Sequence, residues 1–180
     1  EFRRVLFRSA HAKHRIAWLL ILMFSATITG TIITRYENAF AAIPLLVSFI
    51  PMLMDTGGNC GSQSSTLIIR GIALGEIQFS DLFRVMFKEF RVSLIVGVAL
   101  ALANGIRILI MYKNAGLALV IGLSLVATIV ISKLIGCALP LIAKKLHMDP
   151  AIMASPLITT LVDTCSILIY FNIATQVFQL

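Results

Sequence analysis

Charge is scarce in this chain. Only 13% of its 180 residues are Asp, Glu, Lys or Arg, about half the share of a soluble domain. An ordinary water-soluble globule is thereby excluded. Cysteine is scarce too: Cys60, Cys137 and Cys165 form no CxxC, which excludes a thiol redox pair and a closely spaced cysteine zinc site. They read as small packing residues in apolar segments. His11 and His14 are spaced HxxH but lie beside Lys13 and Arg15 at the edge of an apolar run, so they are not read as a metal site. There is no N-x-S/T sequon.

Apolar residues, at 59%, are abundant, and the mean hydropathy is +0.98. They fall into five runs, about 16–34, 39–69, 92–111, 117–143 and 151–173, each long enough for a bilayer crossing of roughly 20 residues. The fold class expected is an all-α membrane protein of five transmembrane helices in one domain, 10–180. The formal net charge of +7 would suit a nucleic-acid partner. The basic residues instead gather at the ends of the apolar runs, as membrane flanks do, and no nucleic acid is expected. Residues 1–9, with Val5-Leu6-Phe7-Arg8-Ser9, read as a translated sequencing adaptor and are expected to be an assembly or cloning artefact.

The second run exceeds one straight crossing. It contains Pro44, Pro51 and Asp55-Thr56-Gly57-Gly58-Asn59-Cys60-Gly61, and proline and paired glycines break helices. A kinked or interrupted helix is expected. Lys13, Arg15, Arg70, Arg84, Lys88, Arg91, Lys144 and Lys145 flank one side of the spans, against Arg35 and Lys113 on the other. That bias places the N-terminus in the cytoplasm and the C-terminus outside an inner (plasma) membrane. In the linker, Leu82, Phe83, Met86, Phe87 and Phe90 recur at helical spacing opposite Asp81, Arg84, Lys88 and Arg91. This predicts a short interfacial helix over 80–91, lying on membrane lipids.

Asp163 is a lone carboxylate inside the last apolar run. Such a residue costs at least roughly 2.5–3.5 kcal/mol at the centre of a span and marks function by default. Ser155, Thr159 and Asp163 recur every four residues, on one helix face. The spacing offers two hydroxyls and a carboxylate, with Pro156 predicting a kink and a freed carbonyl nearby. A purely structural Asp163 would want Arg107 or Lys133 as partner. On the second span Asp55, Asn59, Ser62, Gln63 and Thr66 form a polar band, either pore-lining or a set of helix–helix contacts. Oxygen-rich, acid-centred sites suit hard cations, and a sparse site suits hydrated Mg²⁺ better than a dehydrated calcium cage. Mn²⁺, Co²⁺ and Ca²⁺ remain alternatives, as does a gradient-coupled carrier. Asp55-Thr56-Gly57 is also the triplet of aspartic proteases, and a remote alternative is an intramembrane protease pairing Asp55 with Asp163.

The stretch Pro51-Met52-Leu53-Met54-Asp55-Thr56-Gly57-Gly58-Asn59-Cys60-Gly61-Ser62-Gln63-Ser64, then Arg70-Gly71-Ile72-Ala73-Leu74-Gly75-Glu76, resembles the signature of the MgtE family of magnesium channels. So do Asp149-Pro150 and Pro156-Leu157-Ile158-Thr159-Thr160-Leu161-Val162-Asp163. The resemblance runs from about residue 13 to the end. It implies a homodimer with a cation pathway lined by the second and fifth helices. It also implies that Asp163 binds Mg²⁺ in the pore, with Thr159 and Ser155 contributing oxygens. The family's cytosolic N and CBS domains, which sense magnesium, are not in this sequence. It is expected to be an isolated membrane domain or a short branch.

Overall fold

The structure is a computed structural model that describes residues 2–147, 149–150 and 156–179. All regular elements among these are helical: α1 (Phe2–Arg35), α2 (Glu37–Ala42), α3 (Ile50–Ala73), α4 (Leu82–Tyr112), α5 (Ala115–Lys145) and α6 (Pro156–Phe178). Two 3-10 turns, Pro44–Phe49 and Phe79–Asp81, precede α3 and α4.

Among the described residues, α4, α5 and α6 are long and apolar enough to cross a membrane. Helix α1 adds a shorter apolar stretch, Leu19–Arg35. Helix α3 has the length to cross, at 24 residues, but carries the polar band. The described residues thus contain five long helices, three of which hold an apolar stretch long enough to cross a membrane.

Helix α5 is the centre of the bundle, packing against α3, α4 and α6. Asn114 starts it, accepting a hydrogen bond from the Leu117 backbone N–H at 2.9 Å, as an N-cap does. Every fourth residue of one face is small or hydroxylic: Ser124, Thr128, Ser132 and Gly136, all buried. That face receives α3. Helix α4, by contrast, leaves large apolar side chains such as Ile95, Leu102, Ile106 and Ile110 exposed, as a helix facing lipid does.

Two expectations about the helices need correction. The glycines of Asp55–Gly61 do not interrupt the helix, because α3 runs through them unbroken. The irregular backbone lies earlier, at Ile43 and the 3-10 turn Pro44–Phe49. There the buried Tyr170 hydroxyl of α6 donates to the Leu46 carbonyl at 2.8 Å, giving a partner to a group that hydrocarbon would leave unmet. Nor is 80–91 a separate interfacial helix: from Leu82 onward it is the start of the 31-residue α4. The amphipathic pattern there marks the end of a long helix. Its apolar positions Leu82, Val85 and Met86 pack against Ile68, Cys137 and Leu141.

Between α3 and α4 the chain reverses at Gly75, whose φ of +74° is the left-handed region that glycine enters without steric cost. The N–H groups of Glu76 and Ile77 both donate to the Gly71 carbonyl, closing the end of α3.

Candidate functional site

The two acids the sequence singled out come together. Asp55 and Asn59 of α3, with Thr159 and Asp163 of α6, line one cleft of about 220 Å³, completed by Met54 and Gly58. These positions are about a hundred residues apart in the chain. What joins them is the packing of α3 onto α6.

Glycine is the reason the helices approach so closely. A Cβ on Gly58 would meet Thr159 Cγ2 at 3.2 Å. One on Gly57 would meet Thr128 Cγ2 and Val162 Cγ1 at 2.8 Å, and one on Gly61 would meet Ile158 Cγ2 at 2.7 Å. Small residues at a helix seam let backbones come together where lipid supplies no hydrophobic drive. The glycine-rich motif therefore seats α3 between α5 and α6, and so places Asp55 and Asn59 beside Thr159 and Asp163.

Asp163 is half-buried and Asp55 is exposed on the outer side of the bundle. Asp163 has no hydrogen bond or ion pair among the described residues. The two cations the sequence offered it are engaged elsewhere. Arg107 bonds Asn104 Oδ1 at 2.9 Å and stacks over the Phe49 ring at 5.9 Å. Lys133 Nζ lies 3.3 Å from Glu89 Oε2 and 3.2 Å from Ser64 Oγ. Thr159 lines the cleft beside Asp163, whereas Ser155 lies outside the described residues. Ser62 and Gln63 line an adjoining groove of about 620 Å³ with Asn59, Thr66 and Leu67. Asn59 belongs to both, so a polar track runs along the outer face of α3 from Asp55 to Thr66.

No group of three His, Cys, Asp or Glu gathers among the described residues. The cleft offers two carboxylates, an amide and a hydroxyl, an all-oxygen set apart from the amide nitrogen of Asn59. Such donors suit a hard cation that keeps part of its water shell. The cysteines are free, Cys60 and Cys137 buried and Cys165 partly so.

Glu89 is the polar residue that sequence reasoning missed. It is 8% exposed, and Ser64 Oγ donates to its Oε2 at 2.7 Å while Lys133 donates to the same oxygen. The signal was present in Lys133, a cation inside an apolar run that needs a partner.

Comparison with known proteins identifies the family. The MgtE family model, described as a divalent cation transporter, matches residues 50–173. The chain is 40% identical over 164 residues to the magnesium transporter MgtE of Bacillus subtilis (91% of this chain, 36% of the relative). It is 36% identical over 161 residues to that of Thermus thermophilus (89% and 35%), and 34% identical over 165 residues to that of Enterococcus faecalis (92% and 36%). The chain thus spans about a third of the length of these relatives, and the matched region includes both walls of the cleft. This chain belongs to the MgtE family of divalent cation transporters.

Proposed function

We propose that the chain is the ion-conducting membrane part of a Mg²⁺ channel, working as a homodimer and passing hydrated Mg²⁺ into the cytoplasm past Asp163. The observation that carries this reading is the shared cleft of Asp55, Asn59, Thr159 and Asp163. Two unneutralised carboxylates at one apolar helix seam attract a cation and repel anions. Magnesium gives up its water reluctantly and is commonly held by one or two carboxylates through that shell. The sparse donor set fits that habit. Each ion gains roughly 2.3 kcal/mol per charge per 100 mV on moving toward a negative interior. The site must therefore bind weakly enough to release it.

In this reading Asp163 is the group that meets the ion, with Thr159 beside it and Ser155 as a further oxygen. Asp55 and Asn59 form the opposite wall, and Ser62 and Gln63 continue the track. The same reading takes the bias of Lys and Arg toward one set of span flanks as support for an N-terminus in the cytoplasm of a bacterial inner membrane. Transport, rather than peptide hydrolysis, is the role of the two acids.

The test is flux into liposomes carrying a Mg²⁺ indicator. Asp163→Ala is expected to abolish uptake while the protein still elutes as an intact, monodisperse particle. Unreduced uptake by that variant would falsify the assignment of Asp163. A carrier for Mn²⁺, Co²⁺ or Ca²⁺ separates from a Mg²⁺ channel in the same vesicles, since its flux would require an opposing gradient.

A further inference from the structure

A second cleft opens at the end of the bundle where α3 turns into α4. It measures about 370 Å³ and is walled by the last turns of α3, the turn after it and the first half of α4. Two of its lining residues are cations, Arg70 and Lys88. Both are exposed, and neither has a side-chain hydrogen bond or ion pair among the described residues. Two acids also reach the cleft, Glu76 and Glu89. Glu89 is neutralised by Lys133 and Ser64. That leaves Glu76 against Arg70 and Lys88, a surplus of positive charge.

The remaining wall is apolar and opens sideways. Leu67 and Leu74 line it and are each 60% exposed. Beside the cleft, Phe83 and Phe87 of α4 point outward at 82% and 64% exposure. Unpaired cations joined to an exposed apolar wall match an amphiphile with an anionic head. A small water-soluble anion would gain nothing from the leucines, and a neutral lipid nothing from the surplus charge. Basic pockets at the ends of membrane helices hold anionic headgroups in this way.

We infer that this cleft binds an anionic phospholipid, its phosphate between Arg70 and Lys88 and an acyl chain along Leu67 and Leu74. The inference shares the membrane setting with the transport reading but does not depend on which ion passes or on Asp163.

Native mass spectrometry of the full chain in a neutral detergent tests it. Phosphatidylglycerol is added against phosphatidylcholine with the same acyl chains, with inorganic phosphate as competitor. The unmodified chain is expected to retain phosphatidylglycerol in preference, and phosphate is expected not to displace it. Arg70→Gln with Lys88→Gln is expected to weaken retention about thirtyfold, to the phosphatidylcholine level. Arg84→Gln with Lys144→Gln removes the same charge from exposed residues outside the cleft, and is expected to leave retention within a few-fold. Equal retention of the two lipids by the unmodified chain overturns the site without recourse to any variant. Displacement by phosphate overturns it in favour of a free anion. An equal loss in both double variants overturns it in favour of diffuse charge.

Discussion

Lys133 shows how a single residue is judged at membrane depth. A cation there is tolerated only when its charge is met, and Glu89 and Ser64 meet it at 3.3 and 3.2 Å. Removing one partner of a buried pair is worse than removing both, because it leaves the other charge stranded; the expected loss is about 3–5 kcal/mol. Lys133→Met is therefore expected to lower the melting temperature in detergent sharply, and Lys133→Met with Glu89→Leu to recover much of the loss. A double variant as unstable as the single would count against the pair. The sequence made Lys133 conspicuous but did not identify its partner. Glu89 sits 44 residues earlier, in a stretch whose local pattern reads as a membrane-surface helix. Asp163 posed the same problem in reverse: its lack of a counter-charge among the described residues follows from where Arg107 and Lys133 point, which no spacing encodes.

At the scale of elements, the seam between α3 and α5 decides the architecture. Gly136 faces the Gly61 carbonyl so closely that a Cβ would strike backbone, which has no rotamer to change. Gly136→Ala is expected to push the helices apart, at a cost of about 1–3 kcal/mol or more. Gly105 on α4 has nothing within 4 Å of a built Cβ. Gly105→Ala is expected to be neutral or to stabilise by up to about 1 kcal/mol through helix propensity. Thermal melting of the two variants side by side checks the ranking, and a reversed order would remove the seam from the explanation. The motif Gly57-Gly58 was legible as unusual. Its effect was not, since glycine pairs serve equally to break a helix and to let two helices touch. The neighbours Thr128, Thr159 and Val162 decide for contact. The run 80–91 illustrates a related ambiguity: an amphipathic stretch followed by an apolar one can be two helices or one, and in α4 it is one.

At the scale of the whole molecule, one observation stands out. The polar track from Asp55 to Thr66 lies on the outer side of α3, where an isolated bundle would present it to lipid. Hydrocarbon leaves amide and hydroxyl groups unsatisfied, so a second copy laid over α3 and α6 is the expected cover, and the pathway would run between them. Light scattering of the detergent-solubilised particle is expected to give a protein mass of twice 19.7 kDa. Gln63→Trp, on that exposed track, is expected to shift the particle toward monomer and reduce Mg²⁺ flux. A particle that is monomeric and still conducts would place the pathway within one bundle.

The sequence alone showed where the apolar runs lie and which polar groups are out of place among them. Hydrocarbon penalises charge so heavily that a carboxylate at membrane depth is visible without coordinates, and the glycine-rich motif carried the family resemblance. Tertiary structure alone decided how those groups are used. It joined Asp55 to Asp163 across the α3–α6 seam, gave Lys133 to Glu89, and, of the prolines and glycines that could break the second run, put the irregular backbone at the Pro44 turn held by Tyr170. The physical reason is that hydropathy and periodicity are properties of one helix, whereas a cleft or an ion pair is a property of two, fixed by which small residues allow close approach.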